Sequence, residues 1–177
     1  MVLIAKLLTL ALTAAATPIL RRDASKVEAD INQIIAPGFE TLYNDVDAFP
    51  SSGSAGAVAI DNDFQNLVSS VNHATTDINS AGSRDEQAGL AILQDVRKVV
   101  IASLWGVLST LEDQATAWSS VPGGADLVLN DLHTLHTAFD NFADALITNV
   151  PVSVNNQATS AKSDIDSIFN SAEAAFS

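Results

Sequence analysis

Apolar residues recur at alternating steps of four and three along most of the chain, and this rhythm restricts the fold more than any other feature of the sequence. Such spacing places apolar side chains on one stripe of an α-helix, whereas the strict alternation typical of a β-strand is not sustained anywhere. Pro- and Gly-containing stretches divide the rhythm into about five segments. The pattern predicts an all-α protein, an antiparallel helical bundle of about five amphipathic helices.

Breaks and capping signals place the helix boundaries. Pro37-Gly38 should kink or break the first helix. A Ser-x-x-Glu capping box is predicted to open the first helix (Ser25, Glu28) and the third (Ser83, Glu86), because each pair can satisfy free backbone N–H groups of a first turn. The third segment is the most apolar, so we expect it to be central and buried. The predicted helices are about Ser25–Ala48, Ala57–Asn79, Arg84–Ser119, Asp126–Thr148 and Val152–Ala175.

The first 22 residues are typical of a secretory leader. Met1–Ala16 combines a basic start, a short apolar run and small residues at its end, and Thr17–Arg22 then closes with a dibasic processing site. The apolar run is shorter than the roughly 20 residues that span a membrane. We therefore expect a secreted, extracellular protein whose mature chain is one helical-bundle domain, residues 23–177, beginning at Asp23.

Composition excludes several classes of function. The chain has 8 basic and 21 acidic residues; Lys6, Arg21 and Arg22 would leave with the leader, so five basic residues would face all 21 acids, a net charge of −16. Such a surface repels nucleic acid and favours a soluble monomer. The chain has no cysteine, which excludes thiol and disulfide chemistry and makes its stability depend on a packed apolar core.

The polar residues give little sign of catalysis. His136, Asp140 and Asp144 share one helix face and could hold a divalent metal, but a solvated face with a helix-stabilising His–Asp pair is the favoured interpretation. A hydrolase would have to use His73, His133 or His136. Since no motif supports this, the sequence predicts a protein that is not an enzyme and has no cofactor or metal.

Apolar area is the remaining candidate for function. The strong stripes either fill a core or line a cavity between helices that takes an aliphatic ligand, and periodicity alone favours the packed core. Tyr43, Ser69 and Ser103 could bind a lipid head group, although buried hydroxyls also bond to their own helix. The predicted lipid-binding residues are Phe64, Leu67, Val71, Leu104, Leu108, Leu111, Leu135, Phe139, Phe142 and Phe169.

Several stretches carry a resemblance to a known family. After the dibasic Arg21-Arg22 come Ile34–Pro37, the step Leu42–Val46 and a closing helix Lys162–Phe176 in a Cys-free, Ala/Ser/Asp-rich chain. This character is similar to the hydrophobic surface-binding protein A family, which includes ligand-binding domains of fungal cell-wall galactomannoproteins. The resemblance covers the whole mature chain and rests on composition and spacing.

The resemblance implies a non-enzymatic, secreted fungal helical bundle. It implies adsorption to hydrophobic surfaces, with recruitment of a secreted cutinase-type esterase as an alternative role, and binding of long-chain fatty acids in the bundle core. Wall association as a structural mannoprotein is a further alternative, but the sequence shows no Ser/Thr-rich stalk, which favours a freely secreted form.

Overall fold

The computed structural model describes residues 24–83 and 85–177. The predicted leader, the segment after it and Asp23 lie outside the described residues. Helices and short turns account for nearly all of the described chain, and no strand occurs in it, so the predicted all-α class is confirmed. In those same two ranges no helix combines the length and apolar character needed to cross a membrane.

Within the part of the chain that the structure describes, five long helices and one short helix make up the bundle. The predicted bounds of the last helix agree with those in the structure. The second helix begins four residues earlier than predicted, because the Gly/Ser-rich segment expected to be a loop is itself helical. The predicted third helix ends early and is followed by a separate short helix. The helices are α1 (24–48), α2 (Gly53–Ala81), α3 (86–113), α4 (Ala115–Trp118), α5 (Gly124–Asn149) and α6 (Val152–Ala175).

Helix α1 is not broken at Pro37-Gly38, because a π-helical segment, Ile31–Ile35, comes directly before it. Pro37 has no N–H to bond the carbonyl of Gln33, and its ring would crowd that carbonyl in a regular helix. The backbone N–H of Ala36 instead bonds the carbonyl of Ile31. This wider turn carries the helix through the proline.

Neither predicted capping box caps its helix. Ser25 already lies inside α1 in the described chain, so it is not the N-cap. At α3 the N-cap is Asp85 instead of Ser83, and its side chain accepts a hydrogen bond of 2.8 Å from the N–H of Ala88. Asp is as good an N-cap as Ser, so two acceptable caps two residues apart made the sequence ambiguous here.

The long helices form a closed ring around one apolar core. Helix α1 packs against α2, α2 against α5, α5 against α6, α6 against α3, and α3 returns to α1. Helices α2 and α3 follow each other in the chain without being main packing partners. The ring encloses one continuous cluster of buried side chains that every long helix supplies.

One end of the bundle is closed by aromatic packing. Trp118 on α4 is fully buried and stacks on Phe49, which follows α1, with ring centroids 4.2 Å apart. Gln114 donates hydrogen bonds of 2.8 Å to the carbonyls of Val46 and Phe49, which ties the end of α1 to the end of α3. The turn into α5 needs glycine at Gly123, where φ is +72°.

The expectation that α3 is buried on most sides is wrong. Leu104 and Leu108 are fully buried, but Trp105 is 64% exposed. The ring arrangement gives α3 two neighbours and leaves its outer face in water. An outward-facing tryptophan on the most apolar helix is therefore a feature that the core does not explain.

Candidate functional site

The ten predicted lipid-binding residues converge inside the bundle. Each is at most 1% exposed, and all belong to the same apolar cluster. At its centre Phe139 contacts three other rings, with centroids 6.1 Å from Phe39, 6.2 Å from Phe142 and 6.0 Å from Phe169. The aromatic cluster Phe39, Phe139, Phe142 and Phe169 is an apolar site built by α1, α5 and α6.

Phe39 is the member of this aromatic cluster that sequence reasoning missed. It stands two residues after Pro37, where a break in the helix was expected. With α1 continuous, Phe39 falls one turn after Ile35 and one turn before Leu42 on a single buried stripe. The spacing of these apolar residues was the signal that could have found it.

A groove of about 210 Å³ between α1 and α3 leads from solvent to the aromatic cluster. Phe39 lies in its lining, beside Tyr43 and Ser103. Two of the three hydroxyl residues proposed for a lipid head group therefore share this groove, whereas Ser69 is exposed on α2, away from it. The groove is smaller than the roughly 300–1,000 Å³ of ordinary ligand pockets, so a long acyl chain could enter only if core side chains moved.

Gly106 lies in the lining of the same groove and leaves it open. A Cβ built on Gly106 would meet no atom within 4 Å. On the other side of α1, a Cβ on Gly38 would lie 3.2 Å from the side chain of Leu67, so Gly38 allows close packing of α1 on α2. Gly106 thus leaves open space beside α3, whereas Gly38 allows α1 to pack closely against α2.

The predicted polar face of α5 is used in contacts with α6. Lys162 donates a hydrogen bond of 2.6 Å to Asp140 and lies 3.2 Å from a carboxylate oxygen of Asp144. His136 Nδ1 is 2.9 Å from Glu173 Oε1, and the His136 ring stacks on Phe169 at 4.6 Å. These residues are paired with α6 across the helix interface, where the sequence had predicted a solvated face with a His136–Asp140 pair.

Helix α2 meets its neighbours through pairs of aspartates. Burial, with a hydrogen bond to Asp77, raises the pKa of Asp30. Burial opposes the charged form of Asp77 too, but hydrogen bonds from Lys26 and Asp30 lower its pKa overall. The pairs are Asp77 with Asp30, Asp63 with Asp45, and Asp61 with Asp131.

The other two pairs show the same effect of burial. Burial and the neighbouring Asp45 raise the pKa of Asp63 to about 6. Burial and the neighbouring Asp61 raise the pKa of Asp131, which is 5% exposed, to about 7. A raised pKa means that water stabilises the charge poorly, so these pairs resist ionisation at the contacts of α2 with α1 and α5.

The three histidines of the hydrolase alternative all face carboxylates. His73 lies near Asp30 and Asp77, and His133 and His136 both approach Glu173. A histidine that acts as a general base needs a nucleophile or water in reach, with a group behind it to orient the ring. Among the described residues these contacts are with carboxylates, which could orient the rings, so they add nothing to the hydrolase alternative.

Known structures share this fold. The structure of AFMP4P in complex with palmitic acid superposes with a TM-score of 0.81 at 23% identity, covering 87% of this chain and 99% of that one. Ligand binding domain 1 of the Penicillium marneffei MP1 protein, complexed with arachidonic acids, gives a TM-score of 0.79 at 14% identity, with 87% and 99% covered. Ligand binding domain 2 of that protein gives 0.72 at 15% identity, with 86% and 93% covered.

At these identities the likeness concerns the fold. No curated protein sequence matches the chain. The profile of the family described as hydrophobic surface binding protein A matches residues 24–148, which include α1 to α4 and nearly all of α5. Since this match covers well over half of the sequence, the chain belongs to the hydrophobic surface binding protein A family.

Proposed function

We propose that this protein is a secreted, non-enzymatic binder of long-chain fatty acids, and that the acyl chain enters through the α1–α3 groove. The observation that carries the proposal is the position of the buried aromatic cluster directly behind a groove that contains Tyr43 and Ser103. The similar structures with palmitic and arachidonic acids support it, because proteins with the same fold form complexes with aliphatic acids.

The acyl chain supplies most of the binding free energy in this mechanism. Burying it contributes about 0.8 kcal/mol per CH₂, so ten groups contribute about 8 kcal/mol before the costs of association. Without those costs, that value would correspond to roughly micromolar affinity. Because the groove holds about 210 Å³, the chain extends past Phe39 and displaces core side chains such as Phe139, Phe142 and Phe169. The other seven predicted residues are then the interior wall: Phe64, Leu67, Val71, Leu104, Leu108, Leu111 and Leu135.

The head group stays at the mouth of the groove. Tyr43 is 42% exposed, and Ser103 is partly exposed one helix away, so both hydroxyls can donate to a carboxylate that remains in contact with water. Glu40 also lines the groove and would repel a carboxylate. We therefore expect the acid to bind more tightly as the pH falls, because protonation of the ligand removes the carboxylate charge that Glu40 repels.

A groove-filling variant tests this proposal. Gly106→Leu adds a side chain into open space between α1 and α3, so it should block the entrance without disturbing the core. We expect its affinity for palmitate, measured by isothermal titration calorimetry, to fall at least tenfold. Ala102→Leu, an exposed position on the same helix outside the groove lining, is the matched control and should bind as the parent does. Equal affinity in both variants and the parent would refute entry through the groove.

Adsorption to hydrophobic surfaces is a second function, favoured by the exposure of Trp105. This side chain borders a groove of about 190 Å³ between α3 and α6 that also contains the partly buried Ile168. A tryptophan left in water at the edge of a groove is suited to contact a wax or polyester surface. The high negative charge opposes adsorption at neutral pH and decreases toward the pI near 4.2.

Adsorption can be measured on polyester beads at pH 4 and pH 8 in low salt. We expect more protein on the beads at pH 4, and a clear loss with Trp105→Ser. Val152→Ser is a matched control, because Val152 is 91% exposed but stands alone at the start of α6. Equal adsorption of the parent at both pH values would contradict the effect of charge, and equal loss in both variants would contradict a specific contact through Trp105.

A further inference from the structure

A second polar cluster lies between α1 and α2, away from the α1–α3 groove. Asp30 stands on α1, and His73 and Asp77 stand one turn apart on α2. The Nε2 atom of His73 is 3.5 Å from Asp77 Oδ2 and 3.9 Å from Asp30 Oδ1. One ligand atom from each residue lies within 4.8 Å of the other two.

Both carboxylates of this cluster are buried and incompletely satisfied. Asp30 is 5% exposed and Asp77 is 7% exposed. The Oδ2 atom of each is buried without a hydrogen-bond partner, although Lys26 donates a bond of 2.7 Å to Asp77 Oδ1. Buried carboxylate oxygens are almost always bonded in native proteins, because leaving one unpaired is costly. A proton on Asp30 can bond the two carboxylates to each other, and a cation bound beside His73 would take the place of that proton.

The donor set and its spacing suit a transition metal. Bonds of about 2.0–2.2 Å in a tetrahedral zinc site place neighbouring ligand atoms about 3.4 Å apart. The separations of 3.5 and 3.9 Å need only small side-chain movements to reach that value. Imidazole nitrogen and carboxylate oxygen are both zinc ligands, and open zinc sites have three protein ligands with water in the fourth position. The half-exposed ring of His73 leaves that position open to solvent.

We propose that Asp30, His73 and Asp77 bind one divalent transition-metal ion, with zinc as the best match, and that this ion fastens α1 to α2. The ion would bond Asp77 Oδ2 and a carboxylate oxygen of Asp30 directly. Lys26 contributes one compensating positive charge through its hydrogen bond to Asp77 Oδ1. The site is independent of the fatty-acid site, since its residues take no part in the aromatic cluster or the α1–α3 groove.

Another group in the described chain, between α5 and α6, also brings a histidine and two acids together, but it is a weaker candidate. His136, Asp140 and Asp166 also lie within 4.8 Å of one another. There, however, Lys162 bonds Asp140, Glu173 bonds His136, and none of the three is nine-tenths buried. Two of its members already have partners, although Asp166 Oδ1 is buried without a hydrogen bond, and it provides a natural comparison for the proposed site.

Zinc titration of the full chain, first stripped with a chelator, tests the proposal. We expect calorimetry with ZnCl₂ to give one site per molecule and thermal unfolding to shift upward with added zinc. His73→Gln should weaken binding at least about tenfold, because ligand-shell changes have effects of this size. Its side chain is 54% exposed, so folding should be retained. Asp30→Asn should likewise abolish the zinc-dependent shift.

His133→Gln is the matched control. His133 is an exposed histidine, 59% by its side chain, next to Glu173 on the other side of the bundle. Its variant should bind zinc as the parent does. The proposal would be overturned if the parent did not bind zinc, or if His73→Gln bound zinc as the parent does. It would also be overturned if His133→Gln lost zinc binding, because that result would assign the metal to the cluster at His136.

Discussion

Replacing a buried acid should stabilise this protein at neutral pH. Asp131 on α5 is 5% exposed, and burial beside Asp61 raises its pKa from 3.8 to about 7. Asp131→Asn keeps the size and the hydrogen-bonding ability of the side chain, since an amide N–H can donate to Asp61. It removes only the charge that the folded state tolerates poorly.

The shift sets both the sign and the size of the effect. A rise of about three pKa units corresponds to about 4 kcal/mol, at about 1.4 kcal/mol per unit. The folded state binds the proton more tightly than the unfolded state, so this contribution is complete below pH 3.8 and is lost as the pH rises through about 7. We therefore expect Asp131→Asn to raise the free energy of unfolding by about 2–4 kcal/mol at pH 8 and by almost nothing at pH 4.

Urea denaturation followed by circular dichroism at pH 4, 6 and 8 measures these differences. Asp164→Asn removes the same charge from an exposed position on α6 and should change stability by no more than about 0.5 kcal/mol. If Asp131→Asn were destabilising at pH 8, or if its effect were the same at all three pH values, the assignment of a poorly tolerated buried charge would be wrong.

Two further predictions concern the contacts that hold the bundle together. Trp118→Ala should lower the free energy of unfolding by about 3–5 kcal/mol, because it leaves a cavity beside Phe49; a loss below about 1 kcal/mol in urea denaturation would contradict this packing. Lys162→Gln should lower the free energy of unfolding by at most about 1 kcal/mol in low salt and by less in 1 M NaCl. Hydrogen bonds with Asp140 and Asp144 raise the Lys162 pKa, but the site remains partly exposed, so the ion pairs are weak and screened by salt. An effect that does not depend on salt would indicate that packing is responsible.

The apolar rhythm was sufficient to predict the helices and the buried side chains. Stripes such as Phe64–Leu67–Val71 on α2 and Leu135–Phe139–Phe142 on α5 face the core as expected. A helical stripe states which side of a helix is buried, and in a single-domain bundle this identifies the core. It does not state which helix lies on the other side, so the ring order in which α2 packs against α5 could not be predicted.

Local backbone details and polar pairs between helices also could not be predicted from the sequence. Pro37 is a strong helix-breaking signal, but the π-helical segment before it absorbs the missing hydrogen bond, and Phe39 consequently joins the core. The partners of Asp30 and Asp131 lie on other helices, and spacing along one helix reveals only pairs such as His136 and Asp140. The exposure of Trp105 likewise depends on which neighbours α3 has.

Native mass spectrometry with palmitate tests the central claim most directly. The protein, purified without detergent, would be incubated with a tenfold excess of palmitate and transferred from a volatile buffer. Our account predicts a species heavier than the apo protein by one or more palmitate masses, strongly reduced in Gly106→Leu and retained in Ala102→Leu. An apo mass alone at every palmitate concentration would contradict fatty-acid binding by the bundle and leave adsorption through Trp105 as the function that the structure supports.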